Sequence, residues 1–506
     1  MSDVSAAAAL RTNLALVVVE APAGCGKTHH AADYAHWLAT TSDKGQVLIL
    51  THTHAACDVF RSRTEAVRSR VHVTTIDGLV AQIGGVYHQS LGLPVDTLAW
   101  TRSRPDGFER LAEKVGDLLT ASKAVASAIV GRHPVILCDE HQDANAAQHR
   151  VVMQLLETGA KLRAFGDPMQ AIYVKGKARK VHDQRWADLC KRANRVEMLD
   201  HPHRWKDGSP ELGQWILEAR RTLQNGQPID LGGERPAGLN VIVAHNAAPR
   251  RGGFKLEREE GRLVNRKINA TTSLMILAGH NATVRGVNAY LGRRVPIWEG
   301  HTRDALHQLV AVCQAARGNS VAVAHALRGF LQQVVIGFSD TAFANRLLSE
   351  VESGCAKRCA GKPAQLQVMA RCLLESPNHV GVGRALSLLE KLIASDAAFG
   401  SIKIDLSREY HEAARLAAFD DADEGLAEIT RRRTVMRSKM PTKFITNVHK
   451  AKGLEYRHVL VMPCDRTHFA DTDDKRCLLY VALSRAKESL TLVVSPTDRS
   501  PLLVGP

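Results

Sequence analysis

What the chain lacks narrows its class first. Its ten cysteines are scattered without a paired framework, which excludes a small disulfide-held scaffold and fits reduced thiols in a cytoplasm. Cys355, Cys359 and Cys372 come closest to a cluster, but a C-x3-C on a helical pattern with no clear fourth ligand is a poor zinc or iron-sulfur signature. The start, MSDVSAAAALRTNLALVVVE, holds an apolar run of only about six residues after Asn13, too short for a signal-peptide core or a membrane span. No internal repeat and no long low-complexity tract interrupts the chain. The expectation is a soluble, untargeted, cytoplasmic protein with no membrane partner.

What is there describes a packed protein with a basic surface. With 506 residues, 45% hydrophobic and 24% charged, the chain has room for roughly two to four domains. Lys plus Arg exceed Asp plus Glu by 67 to 52, a formal charge of +15 that favours a polyanion such as nucleic acid. A thin spread of the excess over the surface remains open.

Seven short apolar runs end in polar clusters: LALVVV (14–19), VLIL (47–50), VILC (135–138), LRAF (162–165), LMIL (274–277), HVLVM (458–462) and LTLVV (490–494). Continuous apolar strands separated by helical pattern predict α/β architecture with parallel sheets covered on both faces. Functional groups then gather at the carboxyl ends of the strands, where the polar clusters fall. Residues 301–435 turn to an Ala/Leu-rich helical pattern with no convincing strand, and 78–130 read as a smaller helical excursion. The charged stretch 249–267 and the basic run RRRTVMRSK (431–439) are candidate phosphate contacts or solvated linkers.

The chemistry begins at EAPAGCGKTHH (20–30), a P-loop pattern with Gly26, Lys27 and Thr28 in register but Ala21 where the first glycine belongs. It follows a strand and precedes a helix, so the N–H groups of Ala23, Gly24, Cys25 and Gly26 and the helix amino end can converge on phosphates. Lys27 would bridge the β- and γ-phosphates and Thr28 would hold magnesium. After VILC come Asp139, a second magnesium ligand, and Glu140, able to polarise the attacking water. Gln170 in FGDPMQAIY can sense a γ-phosphate, and Arg204 and Arg485 are candidate arginine fingers.

In order, APAGCGKT, THTHAAC, TTIDGL, CDEHQDANAAQ, GDPMQAIY, LDHPHR, TNVHKAKGLEY and LLYVALSRAK resemble the motif series of the UvrD/Rep-like helicases of superfamily 1A, across residues 20–487. The resemblance implies two RecA-like motor domains with ATP between them and a single DNA strand across their top. By that likeness the first motor domain is 1–77 with 131–198, the second 199–300 with 436–506, and 78–130 and 301–435 are helical insertions. Glu455 looks like the family's ribose-contacting acid, and Thr51, Thr53, Thr75 and His449 fall in motifs that line the DNA path. Taken alone, these would read as helix caps or turn residues.

Three departures stand out. No glutamine occurs before Gln46, which leaves the family's adenine-reading motif without its residue. His203 and Pro202 replace the aromatic and asparagine of the family's NYR motif, and histidine stacks on a base more weakly. Lys175, in QAIYVKGKA, stands where a base-stacking tryptophan is expected, and gives a phosphate contact without the roughly 1–3 kcal/mol of a stack.

The resemblance implies an ATP- and Mg2+-dependent translocase or helicase of 3'-to-5' polarity, acting on single-stranded DNA or DNA with single-stranded tails. With short insertions and about twenty residues after Arg485, the chain is also similar to the helicase subunit of the Gabija anti-phage system, which works beside a separate nuclease. A nucleotide-regulated DNA-binding scaffold of a nuclease complex, with little unwinding, stays open, as does an RNA translocase.

Overall fold

Runs of Val, Leu and Ile become parallel strands here because helices cover both faces of each. The computed structural model describes residues 2–42, 45–102, 106–247, 254–298, 304–316, 318–435 and 440–505. They form two units, Met1–Trp298 with Thr442–Pro506, and Glu299–Pro441.

In the first unit, β1 (Leu16–Glu20), β2 (Val47–Thr51), β3 (Val71–Thr75), β4 (Val135–Cys138), β5 (Lys161–Gly166) and β6 (Arg195–Met198) make an all-parallel sheet in the order β3-β2-β4-β5-β1-β6. Side chains alternate between two cores, as the two-residue period of a strand requires. Val17, Val19, Ile49 and Leu137 pack under α1 (Ser2–Leu10), α2 (Lys27–Thr41) and α3 (His54–Arg63). Leu16, Val18, Leu50 and Ile136 pack under α4 (Ile76–Val86), α5 (Thr97–Arg102), α6 (Gly107–Ala121), α7 (Lys123–Arg132), α8 (Ala146–Glu157) and α9 (Lys177–Arg192). Residues 78–130 therefore share the apolar cluster of the first sheet.

The chain continues through α10 (Pro210–Gln224), β7 (Ile229–Asp230), β8 (Leu239–Val243), α11 (Arg258–Ala270), β9 (Leu274–Ala278) and α12 (Asn281–Tyr290). The second unit has its own core, built around Leu306, Leu327, Leu347, Leu386 and Tyr410. Its helices are α13 (Asp304–Ala315), α14 (Ser320–Val334), α15 (Asn345–Glu352), α16 (Lys362–Glu375), α17 (His379–Ser395), α18 (Ser407–Arg415) and α19 (Ala422–Val435). Where no strand was expected, β10 (Val335–Ile336) and β11 (Lys403–Ile404) form an antiparallel pair too short to leave a pattern.

Back in the first unit, β12 (Lys443–Asn447), α20 (Val448–Ala451), β13 (Tyr456–Cys464), α21 (Asp473–Leu483), β14 (Ala486–Val494) and β15 (Leu503–Val504) complete a second parallel sheet, in the order β12-β9-β13-β14-β8, and a small β15-β7 pair. Parallel sheets of six and five strands are consistent with RecA-like motor domains.

Residues 249–253 of the charged connection and 436–439 of the basic run lie outside the described residues. Among the described residues no helix is long and apolar enough to cross a membrane, and no group of three or more His, Cys, Asp or Glu is arranged to hold a metal ion.

Candidate functional site

The loop between β1 and α2 turns on two glycines. Gly24 (φ +77°) and Gly26 (φ +83°) are left-handed, and a Cβ on Gly24 would fall 2.6 Å from the Trp205 ring. Ala21 is wholly buried and its N–H donates to Gly166 O (2.9 Å), so a methyl fits where a first glycine was missing. Ala23 N–H donates to the Tyr480 hydroxyl (2.8 Å), and the Cys25 thiol is pushed up to about 12 by burial. α2 opens at Lys27, with Thr28 in its first turn, so the positive end of its dipole falls at the end of the loop, while the Cys25 N–H donates to Pro22 O (3.2 Å).

Two carboxylates face that loop from the end of β4. Lys27 Nζ pairs with Glu140 and lies 3.8 Å from Asp139 Oδ1. Glu140 sits at φ 52°, a left-handed conformation that costs a non-glycine residue about 1–2 kcal/mol. Burial pushes Asp139 up to about 6 against the pull of Lys27. Glu140 is half-buried, and Lys27 and Lys452 outweigh its desolvation and hold it below the usual carboxylate range. Asp139 Oδ1 is buried without a hydrogen-bond partner. An unpaired carboxylate oxygen is the hard donor that magnesium takes.

A chain of amides and carboxylates ties the neighbouring motifs together. Gln142 Nε2 donates to Glu140 Oε2 (2.5 Å) while Gln142 Oε1 accepts from Asp167 N–H (3.0 Å). Gln170 Nε2 in turn donates to Asp167 Oδ2 (2.9 Å), and Asp167 is held by the buried Arg220. Gln170 is thus brought to the same site with its amide already engaged.

Arg204 touches the P-loop, and Arg485 lies close to Arg204. Arg204 N–H donates to Gly24 O (3.0 Å), and its guanidinium donates to Ser484 O (2.5 Å) and Glu455 Oε1 (2.6 Å). Arg485 is 2% exposed and donates to Val481 O (2.9 Å), Leu454 O (3.1 Å) and Ser484 Oγ (2.8 Å). Burial, with Arg204 beside it, lowers Arg485 to about 10. In this structure carbonyls hold Arg485, and Glu455 holds Arg204. His203 shares a hydrogen bond with Asp3 of α1 (2.8 Å), and Asp3 also meets His30 (3.2 Å), so the imidazole edge is fixed.

The expected DNA contacts separate into caps and a platform. Thr75 Oγ1 accepts from Gly78 N–H (2.9 Å) and Thr53 Oγ1 from Ala56 N–H (3.1 Å), each capping a helix. Thr51 donates to Thr53 O (3.1 Å) and is 1% exposed; Thr75 is 8% exposed. Thr51 and Thr75 thus sit at buried strand ends with their hydroxyls engaged. His449 lies 6.0 Å, ring to ring, from Tyr173, which is 60% exposed. Burial, reinforced by Lys175, Lys475 and His280, pushes His449 down to about 4, so it is neutral at pH 7. Lys175 is exposed beside this pair.

Comparison with known families matches both halves of this arrangement. Residues 5–176 match the model of an AAA domain, and residues 443–493 match the UvrD-like helicase C-terminal domain. These matches support a UvrD/Rep-like helicase. They support DNA helicase or translocase function in general and suggest ATP hydrolysis, usually with Mg2+. No curated protein matches the chain.

Two residues of this helicase-like site escaped the sequence. Lys452, in HKAKGLEY, donates to both oxygens of Asp143 (2.7 and 2.5 Å) and to Gln170 O (2.7 Å), and stands 5.1 Å over the Tyr173 ring. Tyr173, in GDPMQAIY, supplies an exposed ring two positions before Lys175. Both lie inside quoted motifs. Nothing local says that they meet across 279 positions.

Proposed function

We propose that the protein is an ATP-driven translocase or helicase on single-stranded DNA, of 3'-to-5' polarity. The observation that carries this reading is the convergence of Lys27, Asp139 and Glu140 with Arg204 on one glycine loop, beside a Tyr173–His449 platform. Glu140 accepts the proton of the attacking water, and Lys27 holds the terminal phosphates. Magnesium held by Asp139 and Thr28 would offset phosphate charge. Arg204 and Arg485 act when their present partners, Glu455 and the nearby carbonyls, give way to phosphate oxygens. Gln170, through Asp167 and Lys452, links phosphate state to the platform. His203 and Glu455 face the nucleoside, and Lys175 and His449 hold the strand.

The scaffold alternative rests on Lys175 replacing a stacking aromatic. The exposed Tyr173 ring offers a stack that the lysine lacks, which favours the motor. Likeness to the Gabija helicase subunit supports action beside a separate nuclease, in anti-phage defence or repair. The test is steady-state ATPase with Mg2+, alone and with single-stranded DNA or RNA. Stimulation by DNA is expected; hydrolysis indifferent to nucleic acid would remove the motor reading, and stimulation by RNA alone would change its track.

A further inference from the structure

α9 carries six Lys and Arg against two Asp, and begins four positions after Tyr173. Lys175, Lys177 and Lys180 are all exposed, leading away from the platform along the first turns of that helix. Lys177, Lys180 and Gln184 lie on one face by their three- and four-residue spacing.

That face opens into a cleft of about 550 Å³ between α8 and α9. Met153 and Leu189 line it as buried apolar side chains, and Val181 beside them is 68% exposed. Its rim holds Lys180, Arg185 and Arg192 against a single lining carboxylate, Asp188. Arg192 also reaches Glu157 (3.0 Å), and Arg185 donates one arm to Ala144 O (2.5 Å). An apolar wall with cations on its lip matches the two chemistries of a nucleotide unit, a base face and a phosphate. The volume lies within the range of ordinary ligand pockets, about 300–1,000 Å³.

We propose that the α8–α9 cleft is a second nucleic-acid site, which receives the strand beyond the Tyr173–His449 platform, seating a base against the exposed Val181 while phosphates meet Lys177, Lys180 and Arg192. It rests on the reading of that platform as the strand path. The site has a route to the nucleotide side. His149 lines the cleft and hydrogen-bonds His141 (3.0 Å), which directly follows Glu140.

The test is fluorescence anisotropy across a salt titration, with labelled single strands of about 8 nucleotides, filling the platform, and about 25 nucleotides, reaching the cleft. In wild type the longer strand shows the steeper salt dependence. Lys180→Ala lowers the longer strand's log–log salt slope by about 0.7, and the Lys177→Glu/Lys180→Glu pair by at least about 1.4, while the short strand is unchanged. Both lysines are exposed, and a thermal melt verifies each variant's fold. Variants that bind the longer strand as wild type does overturn the cleft proposal and leave the platform standing. Wild type that binds neither strand overturns both. Loss of poly-glutamate binding with unchanged binding of the longer strand assigns the cleft to an acidic protein segment and overturns the nucleic-acid proposal.

Discussion

Glu140 and Lys27 sit against each other, yet their substitutions separate turnover from binding. Glu140→Gln keeps the shape of the side chain and loses the base, so nucleotide still binds while kcat falls at least about 100-fold. Lys27→Ala weakens nucleotide binding itself. Fluorescent-nucleotide titration beside steady-state ATPase checks both, and wild-type-like turnover by Glu140→Gln would sink the assigned role. At the platform, Tyr173→Ala should cost about 1–3 kcal/mol of single-strand affinity. The loss should persist at high salt and vanish on abasic strands; an equal loss on abasic DNA would mean that the ring does not stack.

Caps and cross-sheet bonds decide how the elements hold the site. Thr75→Ala should destabilise the protein by about 1 kcal/mol, because α4 loses its cap, and should leave DNA affinity unchanged. Denaturation and DNA binding measured on one preparation distinguish this from a phosphate contact, which would show the opposite pair of results. Lys452→Met removes a buried partner of Asp143 and should cost about 3–5 kcal/mol, much of it recovered in the double variant with Asp143→Asn. Additive losses in that cycle would mean that the two side chains do not depend on each other. The same scale shows what was legible. The seven apolar runs are the seven central strands, β1, β2, β4, β5, β9, β13 and β14, whereas β3, β6, β8 and β12 at the four sheet edges went unread. Edges need less cover, so their sequences mix polar with apolar residues, as RVEM does in the largely exposed β6.

For the whole molecule, acid should unfold this chain earlier than its carboxylates alone imply. Burial pushes His133 and His149 down to about 4 and His141 well below its usual value. The unfolded chain takes up those protons near pH 6.5, so between pH 6.5 and about 4 it binds more protons than the folded one. Their contribution is fully present above pH 6.5 and is lost as pH falls, by up to about 1.4 kcal/mol per pH unit for each histidine. Asp139, raised to about 6, works in the opposite direction over much of that window, but it is one group against these three and His449, which is also pushed down to about 4. Urea midpoints should therefore drop from pH 7 to pH 5. A flat or rising trend would show that these imidazoles are not held neutral in the native state.

The sequence by itself determined everything that depends on neighbours along the chain. A glycine loop between an apolar strand and a helix, carboxylates at a strand end, and central strands of unbroken Val, Leu and Ile are all local patterns. Tertiary structure decided which atoms meet across long separations. Arg204 reaches Ser484 across 280 positions, and Lys452 reaches Asp143 across 309. It also decided that Thr51 and Thr75 are buried while Tyr173 is open, and that Arg485 is clamped. The physical reason is that burial and partnership are properties of packed surfaces. A residue's type states which bonds it is able to make; which bond it does make is settled when the two sheets close over the glycine loop.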